Sequence, residues 1–231
     1  MNRKEQKSES FLLGILLVIA GGFLDAYSYV ARGKVFATAE TGNIVLLGLN
    51  LAQGNFHKVL YYLVPITSYA LGILAAEQIK AMHKNREESG FHWRQIVILA
   101  EILIVAAVAF IPQGELDIVA NSSVAFICSM QVETFRKVRG NPYATTMCTG
   151  NLRSGMEHVY YWLAEKDRVS GKKALEYFGI IGFFIIGAIL GVVCADSWGG
   201  RAALVCCIPL LLVFVLMFEK EEGKERQNLC G

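Results

Sequence analysis

The chain contains 231 residues, of which 54% are hydrophobic and only 18% are charged. A soluble domain carries about 25% charged residues, and here the apolar residues are gathered into blocks. Residues 59–76, 177–195 and 202–218 contain no Asp, Glu, Lys or Arg. With their flanks, such blocks reach the roughly 20 residues that a membrane-spanning helix needs. The composition therefore predicts an all-α integral membrane protein, and it excludes a soluble enzyme, a nucleic-acid-binding protein and a disordered chain.

Charge and cysteine usage point to neither a polyanionic partner nor a metal. The net charge is only +2, and no basic stripe with interleaved aromatic residues occurs. The six cysteines form no CxxC pair, and the four histidines are scattered without ligand spacing. We therefore expect no nucleic-acid partner, no metal site and no cofactor.

Eight apolar segments follow one another along the chain. They cover residues 11–31, 36–53, 58–79, 95–112, 116–133, 145–164, 174–196 and 201–218. The second and sixth segments begin with Thr, Gly and Asn residues, which favour turns and helix starts over helix interiors. We expect these two to be re-entrant or interrupted segments that enter the membrane without crossing it.

The distribution of Lys and Arg favours six crossing helices. With eight crossings the two sides would receive 11 and 10 cations, which is no bias. With six crossings the count becomes 18 inside and four outside, the outer ones being Arg32, Lys34, Lys58 and Arg201. Cytoplasmic loops are the ones enriched in Lys and Arg. This predicts a single membrane domain over 1–231, with both termini and the polar tail 219–231 in the cytoplasm.

An internal repeat relates the two halves, 11–112 and 116–218. A shift of 108 residues aligns three groups of polar positions: Thr41-Gly42-Asn43 with Thr149-Gly150-Asn151, Asp25 with Glu133, and Thr38 with Thr146. A shift of 115 then aligns Gly72 with Gly187. Three crossings per half force the second half to insert upside down. The result is a 3+3 inverted repeat, an architecture found in many secondary transporters.

The segment Gly21-Gly22-Phe23-Leu24-Asp25-Ala26, followed by Gly33-Lys34-Val35-Phe36 and by Thr41-Gly42-Asn43, resembles the YoaK-like family over nearly the whole chain. This is a family of bacterial multi-pass membrane proteins that carry a domain of unknown function. The sequence departs from the family pattern at Glu40, where an uncharged residue is expected. The resemblance implies a protein of the bacterial inner membrane, and it implies no substrate or reaction.

The two TGN segments are the first candidates for a binding site. Helices that begin inside the membrane at Asn43 and Asn151 would direct backbone N–H groups and the positive dipole end towards the midplane, which favours an anion or a polar carbonyl group. Arg153 would add positive charge. The candidate substrate-binding residues here are Thr41, Gly42, Asn43, Thr149, Gly150, Asn151 and Arg153. In the alternative interpretation, these residues only cap helices and allow tight packing.

Three carboxylates complete the set of candidates. Asp25 lies deep in the first helix and Glu133 at the matching place in the second half, so both are candidate substrate-binding groups unless they reach interfacial water. Glu101 is the one charged residue within 96–111, and it is a candidate for proton coupling or a neutral hydrogen-bonding partner of a neighbouring helix.

These observations favour a secondary transporter or channel for a small polar, and plausibly anionic, solute. A scaffold or regulator of another membrane protein is the alternative, and a lipid-modifying membrane enzyme is a weaker one, because no nucleophile–base pair or metal-ligand set is present. The expected partners are the lipid bilayer and an unidentified small solute. Six crossings are few for a transporter, which leaves room for a homodimer.

Overall fold

The computed structural model describes residues 10–83, 92–138 and 141–229, with side chains up to Met217. It is almost entirely helical. The helices are α1 Phe11–Ala31, α2 Glu40–Ala52, α3 Phe56–His83, α4 Trp93–Val108, α5 Asp117–Thr134, α6 Cys148–Glu165, α7 Arg168–Trp198 and α8 Ala203–Leu229, with a 3₁₀ turn over Gly199–Ala202 and a two-residue antiparallel pair of β1 Lys137–Val138 and β2 Asn141–Pro142.

Each apolar segment of the sequence corresponds to one helix. The predicted helix starts at Asn43 and Asn151 are wrong by three residues, because α2 begins at Glu40 and α6 at Cys148, so that both Thr-Gly-Asn triplets lie in the first helical turn. The 13 residues of α2 span about 20 Å, which is shorter than the ~30 Å hydrocarbon core of a bilayer. The β1–β2 pair was not predicted, because two-residue strands leave no periodic pattern in a sequence.

Three stretches of the described chain are long and apolar enough to cross a membrane. They are Phe11–Ala31, Phe56–His83 and Arg168–Met217. The last stretch has 50 residues and contains both α7 and α8, separated at Gly199 by a positive φ of 54° and the 3₁₀ turn. The prediction of an all-α membrane protein with long apolar helices is confirmed at this level.

The core lies between four helices, α1, α4, α5 and α8. Buried residues such as Leu17, Ile102, Ile127 and Leu210 form one continuous apolar cluster. The most extensive helix–helix contacts are those of α1 with α7 and of α3 with α5. In addition, α2 packs on α3, α6 packs on α7, and α4 packs on α8. The outer helices expose many large apolar side chains, which is typical of a surface that faces lipid or a partner.

Glycines allow the two longest contacts. A Cβ atom on Gly187 of α7 would lie 2.9 Å from the carbonyl carbon of Ile19 in α1, and one on Gly72 of α3 would lie 3.0 Å from that of Phe126 in α5. Both glycines therefore let backbones approach more closely than any other residue would permit. The aligned residues Gly72 and Gly187 therefore serve helix packing in both halves.

A buried arginine ties several helices together at one end of the bundle, which we call the Arg32 end. Arg32 is 0% exposed, lies 3.2 Å from the Asp117 carboxylate of α5 and donates to the Val108 carbonyl of α4. Its Nε donates to the Tyr27 hydroxyl at 2.8 Å, and that hydroxyl donates to the Gly200 carbonyl at 2.9 Å. The ends of α1 and α4, the start of α5 and the α7–α8 turn thus share this end.

The opposite end, which we call the Arg94 end, contains the end of α3, the start of α4 and the end of α5. Arg94 Nε donates to the Thr134 carbonyl at 3.4 Å. Lys80, near the end of α3, lines the same cavity as Arg94 and Thr134.

Candidate functional site

Two non-helical segments run along α1 from opposite ends and meet near its middle. The first precedes α2: its Ala37 N–H donates to the Ser28 hydroxyl at 3.1 Å, and its Thr38 N–H donates to the Asp25 carboxylate at 3.1 Å. As this segment advances in sequence, its contacts on α1 therefore move from Ser28 back to Asp25.

The second segment precedes α6 and comes from the other direction. Tyr143 packs with Val18 of α1, and a Cβ atom on Gly21 would lie 2.7 Å from the Thr145 carbonyl oxygen. Gly21 and Asp25 are one helical turn apart on the same face of α1. The two segments therefore approach each other at the midpoint of a 21-residue helix, and α2 and α6 begin there.

The two aligned asparagines hold these segments in place by matching contacts. Asn151 Nδ2 donates to the Ala144 carbonyl at 2.8 Å, and the Ala144 N–H donates back to Asn151 Oδ1 at 3.2 Å. Asn43 Nδ2 approaches the Phe36 carbonyl at 3.5 Å, which is also seven residues earlier. These contacts support a packing role for both asparagines.

The remaining TGN positions lie away from this meeting point. Thr41, Gly42, Thr149 and Gly150 are exposed, and Arg153 is exposed as well. A Cβ atom on Gly42 or Gly150 would meet nothing described within 4 Å.

Three buried threonine hydroxyls converge where the segments meet. Thr38, Thr145 and Thr146 are 1%, 1% and 4% exposed. The Thr38 hydroxyl lies against the Asp25 carboxylate, whereas the Thr145 and Thr146 hydroxyls have no hydrogen-bond partner within the described part of the chain. Buried polar groups are nearly always hydrogen-bonded, so unpaired ones call for water or a ligand. The repeat alignment had paired Thr38 with Thr146, but nothing in the sequence indicated that their hydroxyls would be buried.

Two carboxylates border the same place. Asp25 is buried, and Glu40 at the start of α2 accepts a hydrogen bond from Asn43 Nδ2 at 3.0 Å through one oxygen. The other Glu40 oxygen is buried and has no partner among the described residues. The Asp25 carboxylate interacts electrostatically with Glu40 and with the Cys148 thiol. We call Asp25, Thr38, Glu40, Thr145 and Thr146 the central polar cluster.

The other two candidate carboxylates lie outside the central polar cluster. Glu101 is 1% exposed, and neither oxygen has a hydrogen-bond partner within the described ranges. It interacts electrostatically with the buried thiols of Cys128, Cys206 and Cys207. Glu133 lies at the Arg94 end and pairs with Arg136, as in the interfacial alternative considered for it.

Among the residues that the structure describes, no cluster of metal ligands forms. No group of three His, Cys, Asp or Glu side chains with ligand geometry occurs within residues 10–83, 92–138 and 141–229. The chemistry available at the central polar cluster is therefore hydrogen bonding and charge, supplied by hydroxyls and carboxylates.

An all-helical chain with several apolar candidate spans and a buried polar cluster defines this protein as a helical membrane protein. Residues 13–216 match the family described as "Protein of unknown function (DUF1275)", and the chain belongs to this family. It is similar to the UPF0700 transmembrane protein YoaK of Bacillus subtilis (strain 168), with 25% identity over 210 residues that cover 87% of this chain and 90% of the relative. No solved structure matches the chain. The resemblance noted from the sequence is thereby confirmed.

Proposed function

We propose that this protein is a secondary transporter or channel of the bacterial inner membrane, built as a 3+3 inverted repeat with six crossing helices. The helix contacts support the repeat. If α1–α4 correspond to α5–α8, the contact of α1 with α7 is equivalent to that of α5 with α3, and α2 on α3 is equivalent to α6 on α7. The contact of α1 with α8 likewise matches that of α5 with α4. A two-fold relation between the halves accounts for all three pairs.

The path of the chain supports re-entrant segments in both halves. The chain leaves α1 at the Arg32 end, reaches Asp25 at the middle of α1, and returns through α2. A Cβ atom on Gly33 would lie 2.8 Å from the Tyr61 hydroxyl, so that α3 begins at the Arg32 end again. In the second half, Tyr177 of α7 donates to the Pro142 carbonyl at 2.8 Å, close to where the chain left α5.

The observation that carries the transport proposal is the central polar cluster. Binding sites of inverted-repeat transporters lie at the midplane, where interrupted helices begin. Here two interrupted segments meet at the middle of α1, next to a buried carboxylate and two threonine hydroxyls that have no partner among the described residues. A small polar solute would supply the missing hydrogen bonds.

The charges near the cluster refine the class of solute. Arg153, which suggested an anion, is exposed, whereas Asp25 and Glu40 contribute two carboxylates. The starts of α2 and α6 attract negative charge, but a formal carboxylate charge outweighs the half-charge of a helix end. We therefore propose a solute with hydrogen-bond donors, either neutral or cationic.

The purified protein in detergent micelles tests this proposal by its thermal unfolding in the presence of ethanolamine, glycerol or acetate. These probes represent a cationic, a neutral and an anionic solute. We expect ethanolamine or glycerol to raise the unfolding temperature, and the stabilising class to enter proteoliposomes. Stabilisation by acetate alone would instead favour an anionic solute, as the sequence analysis expected. The absence of any shift, together with a protein that co-purifies at fixed ratio, would favour the scaffold.

Asp25→Asn is the decisive variant, because it removes the charge while keeping the shape of the side chain. Asp196→Asn is its matched control, since Asp196 is an exposed carboxylate near the end of α7. The first variant should lose ligand stabilisation and uptake, and the second should keep both. Equal behaviour of the two variants would exclude Asp25 from the site.

Side-specific thiol labelling of single-cysteine variants tests the orientation. On a cysteine-free background, Asn55→Cys should label from outside, and Gly90→Cys and Gly171→Cys only from the cytoplasm. Labelling of Asn55→Cys from the cytoplasm and of Gly90→Cys from outside would favour eight crossings and remove the midplane site. Gly90 lies outside the described residues.

A further inference from the structure

A cavity of about 180 Å³ opens at the Arg94 end, between the end of α3, the start of α4 and the end of α5. Four basic side chains line it: Lys80, Arg94, Arg136 and Lys137. The transport proposal does not use this cavity.

Nearby carboxylates neutralise only part of this charge. Lys80 donates to Glu77 at 2.8 Å, and Arg136 donates to Glu133 at 2.6 Å. Lys137 is exposed and has no ion-pair partner among the described residues, so the cavity lining keeps positive charge, which favours an anionic ligand.

A buried hydroxyl supplies a second, independent indication of a ligand. Thr134 lines the cavity, is 3% exposed, and its hydroxyl has no hydrogen-bond partner among the described residues. The first turn of α4 begins at Trp93 on the same cavity and adds the positive end of the helix dipole to it.

The aromatic lining fits the level of lipid headgroups. The Arg94 guanidinium lies 5.1 Å from the centre of the Trp93 ring, and tryptophan is enriched at membrane interfaces. Basic cavities between membrane helices on the cytoplasmic side bind anionic headgroups. We propose that this cavity binds a phosphate group, carried by an anionic phospholipid or present as free phosphate, with Thr134 donating a hydrogen bond and the basic side chains supplying charge.

The test measures thermal unfolding of the full chain in neutral detergent micelles at constant ionic strength. The additions are phosphatidylglycerol, phosphatidylcholine with the same acyl chains, and inorganic phosphate. Saturable stabilisation by phosphatidylglycerol alone identifies a lipid headgroup, and stabilisation by inorganic phosphate identifies the free anion as a ligand. Equal effects of the two lipids without an effect of phosphate, or no effect of any addition, overturn the proposal.

Three variants separate a built site from diffuse surface charge. Lys137→Gln should weaken binding about fivefold, the amount expected for one cation near a headgroup. Lys172→Gln, which removes an exposed cation near the start of α7, should leave the affinity unchanged. Thr134→Val should weaken binding without lowering the unfolding temperature of the ligand-free protein, because its hydroxyl has no partner to lose. Unchanged affinity in both Lys137→Gln and Thr134→Val, or equal losses in Lys137→Gln and Lys172→Gln, would refute the site.

Discussion

Replacing Gly187 by alanine should separate α1 from α7. The added Cβ would lie 2.9 Å from the carbonyl carbon of Ile19, whereas ordinary contact begins at 3.4 Å, so the two helices must move apart by at least about 0.5 Å. The obstacle is backbone and cannot rotate away. Overpacking of this kind lowers the free energy of unfolding by about 3 kcal/mol, which is the upper end of its usual range. The better helix propensity of alanine offsets about 1 kcal/mol of this loss.

Gly182→Ala on the same helix is the matched control, because its Cβ would meet nothing described within 4 Å. It gains the propensity term without the clash, so the two variants should differ by about 3 kcal/mol. For a protein of this size we expect Gly187→Ala to unfold about 4–8 °C below the wild type in a circular dichroism melt, and Gly182→Ala at or slightly above it. Gly72→Ala should lower the unfolding temperature in the same way as Gly187→Ala. A Gly187→Ala protein as stable as Gly182→Ala would refute the close approach.

Three further substitutions probe contacts described above, each read as the unfolding temperature of the purified protein. Arg32→Met leaves Asp117 buried without its cation and should cost about 3–5 kcal/mol, and a melt within 2 °C of the wild type would contradict the buried pair. Tyr27→Phe removes one hydroxyl that makes two hydrogen bonds, so we expect the free energy of unfolding to fall by about 1–3 kcal/mol. An unchanged unfolding temperature would show that this hydroxyl does not stabilise the fold. Asn151→Ala should lose about 1–3 kcal/mol with its two contacts to Ala144, and an unchanged melt would mean that they do not stabilise the fold.

Sequence reasoning reached the class of protein and the positions of its helices because both follow from local composition. A membrane helix needs a long apolar block, and such blocks are visible without knowing what they touch. The two TGN segments were recognised as helix starts for the same reason, although the structure includes Thr41-Gly42-Asn43 and Thr149-Gly150-Asn151 in the first turns of α2 and α6. The alignment of Asn43 with Asn151 also anticipated two side chains with equivalent contacts.

The details of the central polar cluster and of the Arg32 end lie beyond such reasoning, because they depend on which segments meet in space. The charge count treats Arg32 as an outer-loop cation, yet the structure buries it completely among carbonyl groups and Asp117. Thr145 is an ordinary polar residue in the sequence, and only its approach to Gly21 makes it part of a buried cluster. Contacts between residues 76 or more positions apart leave no local signature.

The pairing of α1 with α7 and of α3 with α5 has a consequence for how the protein is made. Each of these contacts joins the first half of the chain to the second, and the Tyr27–Gly200 hydrogen bond spans 173 residues. At a synthesis rate of 5–20 residues per second, α1 waits about 10–35 s for its partners to leave the ribosome. During that interval the Tyr27 hydroxyl lacks the Gly200 carbonyl, and for its first part Arg32 lacks Val108 and Asp117. The two halves are therefore interlocked and mature together, so that biogenesis depends on holding α1 in the membrane or its insertion machinery until translation is nearly complete.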